Sequence, residues 1–129
     1  MSDAKPTPDQ LRAKDAWAVV EKVKGTKGGK DFGGAARKLP VRIMASGLGQ
    51  SLAFLKAKDK TPLLLKALGE WVLQGRPDLK DKDLLNAVIN GNADELRIYT
   101  QETMAYLVWL NRFCEANDLF DDVDSNNGN

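Results

Sequence analysis

Lys38 and Arg42 stand four residues apart, so on a helix they share a face, while Arg37 lies at a different angle around the axis. Two cations at that spacing can hold neighbouring phosphates of a nucleic acid, or can simply be a solvated face. Just beyond them, Ser46-Gly47-Leu48-Gly49-Gln50 forms a glycine corner, in which Gln50 is the polar side chain able to bond backbone or ligand. Basic residues beside Gly-x-Gly suggest a phosphate loop, yet packing explains this corner better. Gly47 suits the left-handed position just past a helix end, and Gly49 lets a following helix start close against its neighbour.

Other candidate chemistry is thin. Gly25-Thr26-Lys27-Gly28-Gly29-Lys30 has three residues between its first glycine and Gly-Lys, and Asp31 follows. A nucleotide-binding loop needs four, then Ser or Thr, after a strand. The segment reads as a mobile interhelical loop whose Lys27 and Lys30 could touch a phosphate backbone nonspecifically. Histidine is absent, which removes the commonest general base and zinc ligand and with them triads, zincin motifs and zinc fingers. Cys114 is the single cysteine and lies in an apolar helical pattern, where a free thiol acts as a small buried hydrophobe. The acidic stretch after Asn117 lacks the glycine and closing glutamate of a calcium loop. No catalytic or metal site and no cofactor is expected.

The elements that would position these residues are all helical. Thr7-Pro8-Asp9-Gln10 is a strong start, with threonine as cap, proline in the first turn and glutamine able to close a capping box. The first helix runs to about Lys24, burying Ala13, Ala16, Trp17, Val20 and Val23. Phe32, Ala36, Leu39 and Ile43 place one stripe on a second helix, which Pro40 bends or restarts. Leu48, Leu52 and Leu55 carry the stripe into a third helix beyond the corner. Thr61-Pro62 opens a fourth by the same cap and proline chemistry, burying Leu64, Ala67, Leu68 and Trp71 and ending at Gly75 and Pro77. A short fifth, about Asp81 to Ile89, carries Leu84, Leu85, Val88 and Ile89.

Asn92 caps the last and longest helix, about Ala93 to Ala116. Leu96, Tyr99, Thr103, Tyr106, Leu110 and Phe113 repeat alternately at three and four, the spacing of a packed seam, so this helix should cross the centre of the bundle. These aromatics could stack on bases, but only Arg97 and Arg112 flank them, and core packing is the better reading. The expected fold is therefore all-α: one domain over residues 1–129, a bundle of about six helices with a long C-terminal helix. Its core spans about 8–116, with 1–6 and 117–129 expected to be flexible.

Composition bounds the rest. A chain of 129 residues buries about two thirds of its extended surface without disulfides or metals. Its longest uncharged run, Ile43 to Leu55, is 13 residues, short of the roughly 20 that cross a bilayer. With no apolar signal core near Met1, a cytoplasmic protein without membrane contact is expected. Net charge is +1, but residues 1–66 hold 14 Lys and Arg against 6 Asp and Glu, and residues 67–129 hold 5 against 12. That asymmetry suggests a side facing a polyanion and an acidic side.

Two blocks of the chain resemble a known family, the small subunit of type III-B CRISPR–Cas effector complexes, the fifth protein of the Cmr set. The first is Lys38-Leu39-Pro40, Ile43, Gly47-Leu48-Gly49-Gln50 and Leu52-Ala53-Phe54-Leu55. The second, after an acid-rich start, is Tyr99-Thr100, Ala105-Tyr106-Leu107, Trp109-Leu110 and Arg112-Phe113. With Arg12-Ala13-Lys14 the likeness spans about residues 9–116. It implies a non-enzymatic, all-α subunit that stacks in a few copies beside the crRNA-bearing backbone and lines the groove receiving target RNA. Its partners would be the backbone and large subunits, crRNA, target RNA and further copies of itself.

The resemblance transfers no single residue roles, so the RNA contacts are read from charge. Lys22, Lys24, Arg37, Lys38, Arg42, Lys56, Lys58 and Lys60 are expected to form a discontinuous basic track that senses backbone and shape rather than sequence. The competing reading is a helical adaptor that binds only protein, docking its acidic half on a basic partner.

Overall fold

Helix α1, Pro8–Val23, starts as its sequence announces. The Gln10 backbone N–H donates to Thr7 Oγ1 at 3.0 Å, and the Thr7 N–H donates to Gln10 Oε1 at 2.8 Å. The computed structural model describes residues 4–120. Four further helices follow: α2 Gly29–Lys58, α3 Pro62–Val72, α4 Leu84–Asn90 and α5 Ala93–Ala116, with no strand among the described residues. Asn92 and Glu95 repeat the reciprocal cap at the start of α5. Thr61 differs from Thr7: its side chain makes no cap hydrogen bond, and α3 rests on its proline and on the Thr61 carbonyl, which accepts from the Leu64 N–H at 3.0 Å.

Five continuous segments stand where about six helices are expected, because α2 comprises the two helices expected on either side of the corner, joined across a kink at the single non-helical residue Gly47. Gly47 adopts φ 86°, ψ 165°, a combination essentially confined to glycine and more extended than the left-handed cap the sequence suggests. Helical geometry resumes at once, and the Ser51 hydroxyl ties the joint by donating to the Gly47 carbonyl at 2.8 Å. Pro40 does not break α2 either. A proline at that position leaves the carbonyl of Ala36, four residues back, without its helical donor. Asn111 Nδ2 of α5 supplies one at 2.9 Å.

Helix α5 touches all four other helices, the central position its seam predicts. Tyr106, Leu107 and Leu110 are fully buried, with Phe32, Leu39, Leu48, Leu52, Leu64 and Leu68 around them. The expected stripes hold at their centres and fail at their edges. Trp17 is 46 % exposed, its ring edge-on to Phe113 at 5.0 Å, while Leu96 and Ile89 also face outward. Between α1, α3 and α5 lies a polar clasp. Arg12 donates from Nε and Nη2 to the two Glu102 oxygens at 2.6 and 2.9 Å, and Trp71 Nε1 donates to Glu102 at 2.7 Å. The Trp71 ring stacks on Tyr106 with centroids 5.4 Å apart, and the Tyr106 hydroxyl donates to Asp15 at 2.5 Å.

The core also extends past its expected end at residue 116. Asp118 takes a left-handed φ of 58°, which lets the Leu119 N–H reach back to the Cys114 carbonyl at 2.9 Å. Two orphan carbonyls at the end of α5 are satisfied by this turn, and Leu119 is driven into the core at 5 % exposure. A Cβ on Gly33 would lie 2.0 Å from the Leu119 carbonyl oxygen, so glycine is what admits this segment. Residues 117–120 are therefore part of the folded body, because one apolar side chain follows the acidic cap. The expectations for residues 1–3 and 121–129 lie outside the described residues.

Candidate nucleic-acid interface

In α2 the residues Lys30, Gly34, Lys38 and Arg42 recur every four positions and form one slowly winding stripe. A straight helix would put Arg42 and Phe54 about 18 Å apart along the axis. The bend at Gly47 instead brings the Arg42 guanidinium over the Phe54 ring, 3.8 Å from its centroid, with Lys58 Nζ 5.3 Å from the same ring. The corner thus folds the second part of α2 back along the first. Between them and the start of α3 lies an open groove of about 370 Å³, lined by the stripe together with Phe54, Lys58 and Lys60. Among the described residues five cations line it with one carboxylate, Asp31.

Two cations over one phenyl ring make a defined electrostatic arrangement. The ring face attracts both and holds the guanidinium in place without consuming its N–H donors. Among the described residues no carboxylate pairs with Arg42, Lys58 or Lys60, so the countercharge for these side chains has to come from outside the described fold. Such a site suits a chain of phosphates. Its weak definition of shape gives no means of reading bases by hydrogen bonds.

Of the eight residues expected in a basic track, the structure gathers four here: Lys38, Arg42, Lys58 and Lys60. The others lie elsewhere. Lys24 pairs with Glu21 at 3.0 Å. Lys22 borders a small depression with Leu63, Lys66 and Glu70. Lys56 lines a mixed-charge groove with Asp59, Glu70, Lys80 and Asp81, and Arg37 lies over the Phe120 ring at 5.1 Å. Two groove residues escape the track as the sequence draws it. Lys30 is assigned to a loop, whereas α2 already begins at Gly29; its four-residue spacing to Gly34 and Lys38 is the signal that would have placed it. Phe54 figures only as a motif letter, and its twelve-residue distance from Arg42 gives no hint of contact.

Two further cations, Arg76 and Lys82, are engaged in structure. Arg76 bonds Asp78, Glu95 and the Tyr99 hydroxyl, and Lys82 Nζ donates to the Leu73 and Arg76 carbonyls at 2.9 Å, closing the end of α3. Burial pushes the Cys114 thiol up to about 11, which keeps it protonated as a core residue. No group of three or more metal-ligating side chains occurs among the described residues. No helix there is long and apolar enough to cross a membrane.

Comparison with known proteins agrees with this architecture. The family model described as CRISPR-associated protein (Cas_Cmr5) matches residues 8–117. The CRISPR system Cmr subunit Cmr5 of Thermus thermophilus is 31% identical over 112 residues, covering 85% of this chain and 95% of the relative. The crystal structure of a CRISPR-associated Cmr5 family protein from Thermus thermophilus superposes with a TM-score of 0.75 at 28% identity, covering 90% of this chain and 100% of that one. With five helices in one body and a family match running from the first helix to the last, the chain belongs to the Cmr5 family of CRISPR-associated proteins.

Proposed function

We propose that the chain is a non-catalytic small subunit of a cytoplasmic type III-B RNA-guided complex, stacking in several copies along the crRNA-bearing backbone and lining the groove for target RNA. The observation that carries this reading is the convergence of Lys30, Lys38, Arg42, Lys58 and Lys60 on one open groove. Phosphate contacts of this kind supply affinity and register, while guide pairing supplies sequence. One copy neutralises few phosphates, and several copies in a row convert weak contacts into a strong one. Contact with the backbone and large subunits has surface to use as well: Val41 and Met44 are 71 % and 77 % exposed on another side of α2.

The test is target-RNA binding by the assembled complex across salt concentrations, with Lys38→Ala and Arg42→Ala combined. Each lost phosphate contact lowers the slope of log affinity against log salt by roughly 0.7 to 0.9, so the double variant should flatten it by about 1.5. An unchanged slope, with the subunit still incorporated, would place the RNA elsewhere and favour the protein-only adaptor.

A further inference from the structure

Between Pro40 and Leu48 the chain of α2 is held by little. Ile43 is the only buried side chain there, Val41 and Met44 face outward, and the backbone is irregular at both ends, at Gly47 by its dihedrals and at Pro40 by the missing N–H. Arg42 sits in this stretch. The flanking parts are fixed by buried side chains, Phe32, Ala36 and Leu39 before it and Leu48, Leu52 and Leu55 after it. The aim of the Arg42 guanidinium onto Phe54 therefore depends on how the bend at Pro40 is set.

One side chain of another helix reaches that bend. Asn111 Nδ2 donates to the Ala36 carbonyl at 2.9 Å, and Ala36 is 0 % exposed, so water cannot take the place of Asn111 while α2 lies against α5. The amide is a poor choice for stability alone. Its Oδ1 is buried and meets no donor among the described residues, a loss that an apolar side chain at 111 and an ordinary helical residue at 40 would avoid together. Without the amide, the Ala36 carbonyl finds a donor only if the stretch tilts off α5. Sharp kinks at proline exceed about 20°, and such a tilt over the roughly 9 Å of axis from Pro40 to Ser46 is a displacement of about 3 Å. The guanidinium lies 3.8 Å from the ring centroid, and the attraction reaches about 6 Å, so a shift of that size takes Arg42 off the ring.

We infer that Asn111 is a positioning residue of the groove: through the Ala36 carbonyl it fixes the bend at Pro40 and so holds Arg42 over Phe54. Pro40 and Asn111 act as a pair, the proline opening a carbonyl and the amide deciding the angle at which it is closed. An ordinary residue at position 40 closes the same bond within α2 and straightens the stretch, which satisfies the carbonyl and loses the aim. The consequence for RNA rests on the groove being the RNA site; the aim of Arg42 does not.

The experiment uses Asn111→Leu, alone and with Pro40→Ala, in the full chain, and reads the ring-current shift of the Arg42 side-chain protons by NMR beside thermal melting. In the parent these protons resonate upfield because they lie over Phe54, and Phe54→Leu supplies the unshifted reference. Asn111→Leu should melt lower and lose the shift. Adding Pro40→Ala returns a donor to the Ala36 carbonyl, so melting should recover while the shift stays lost. Target RNA should then bind complexes assembled with this double variant about two- to fivefold more weakly than those with the parent. A residue that only satisfied a buried carbonyl would move shift and melting together. A shift missing from the parent, retained in Asn111→Leu, or restored with the melting in the double variant would overturn the inference. Should Asn111→Leu fail to fold, the double variant decides by itself. A shift lost while RNA affinity stays at the parent value would uphold Asn111 as the residue that aims Arg42 and take RNA out of the groove.

Discussion

Arg12 and Arg42 are the same residue type set among aromatic rings and other charges, and they end in opposite situations. Arg12 spends its donors on Glu102 and Asp9, while Glu102 also holds Trp71, so the clasp is electrically closed and joins α1, α3 and α5. Arg42 lies over Phe54 beside Lys58, within one helix folded on itself, and no described carboxylate answers it. The difference teaches where to look for function in a chain without catalytic groups. Countercharge supplied by the chain itself becomes stability, and countercharge left to come from elsewhere becomes binding.

The largest effect that would break this comparison lies in the clasp. Glu102→Ala strands the Arg12 guanidinium and the Trp71 N–H together, and because the ion pair is partly exposed, at 22 % and 27 % of the two side chains, water recovers part of the loss. The expected cost is about 2 kcal/mol, seen as a fall of about 8 °C in thermal melting. The salt slope of RNA binding by complexes that contain the variant should stay as it was. A changed slope with unchanged melting would mean that the two regions have been assigned the wrong way round.

Acid titration separates the regions with a smaller effect. The bond from Arg12, aided by that from Trp71 and opposed by burial, holds Glu102 below the usual carboxylate range. Glu95 is held low by the Asn92 N–H and Arg76, and Asp78 by Arg76. Because these folded values are depressed, the stabilisation is complete above the ordinary value near 4.5 and is lost as pH falls through the lower folded ones. Melting temperature should hold from about pH 7 to about 5 and decline below about 4.5. Glu102→Gln should start lower and decline less, whereas Lys38→Ala with Arg42→Ala should follow the parent curve. A parallel decline in the Gln variant would remove Glu102 from the acid response.

Legibility followed the range of the interactions. The caps at Thr7 and Asn92, the central α5 and the glycine corner are set by neighbours within four residues or by a periodic stripe, and all stand in the sequence. Trp17 misleads because a stripe centred on Ala16 and Val20 leaves a neighbouring ring at its edge. Pro40 could not be settled from α2 alone, since the donor that rescues Ala36 is Asn111, 75 residues away. The candidate site was half legible for the same reason. The charges of Lys38 and Arg42 are local, whereas their meeting with Phe54, Lys58 and Lys60 depends on which way Gly47 bends.

Phe54→Leu sharpens the comparison most finely, because it leaves every groove charge in place and keeps an apolar side chain of similar size. Phe54 is 38 % exposed, so stability should change by no more than about 1 kcal/mol. What disappears is the ring face that holds Arg42 and draws Lys58 toward it. An exposed cation over a ring is worth about 0.5 to 1 kcal/mol, which predicts a two- to fivefold weaker complex with target RNA. The salt slope counts phosphates neutralised and should not move, in contrast to its fall in Lys38→Ala with Arg42→Ala. A slope that fell in both variants would mean that without the ring the cations leave the groove altogether. Phe54 would then be the residue that makes the site, and the corner at Gly47 would matter chiefly because it delivers that ring.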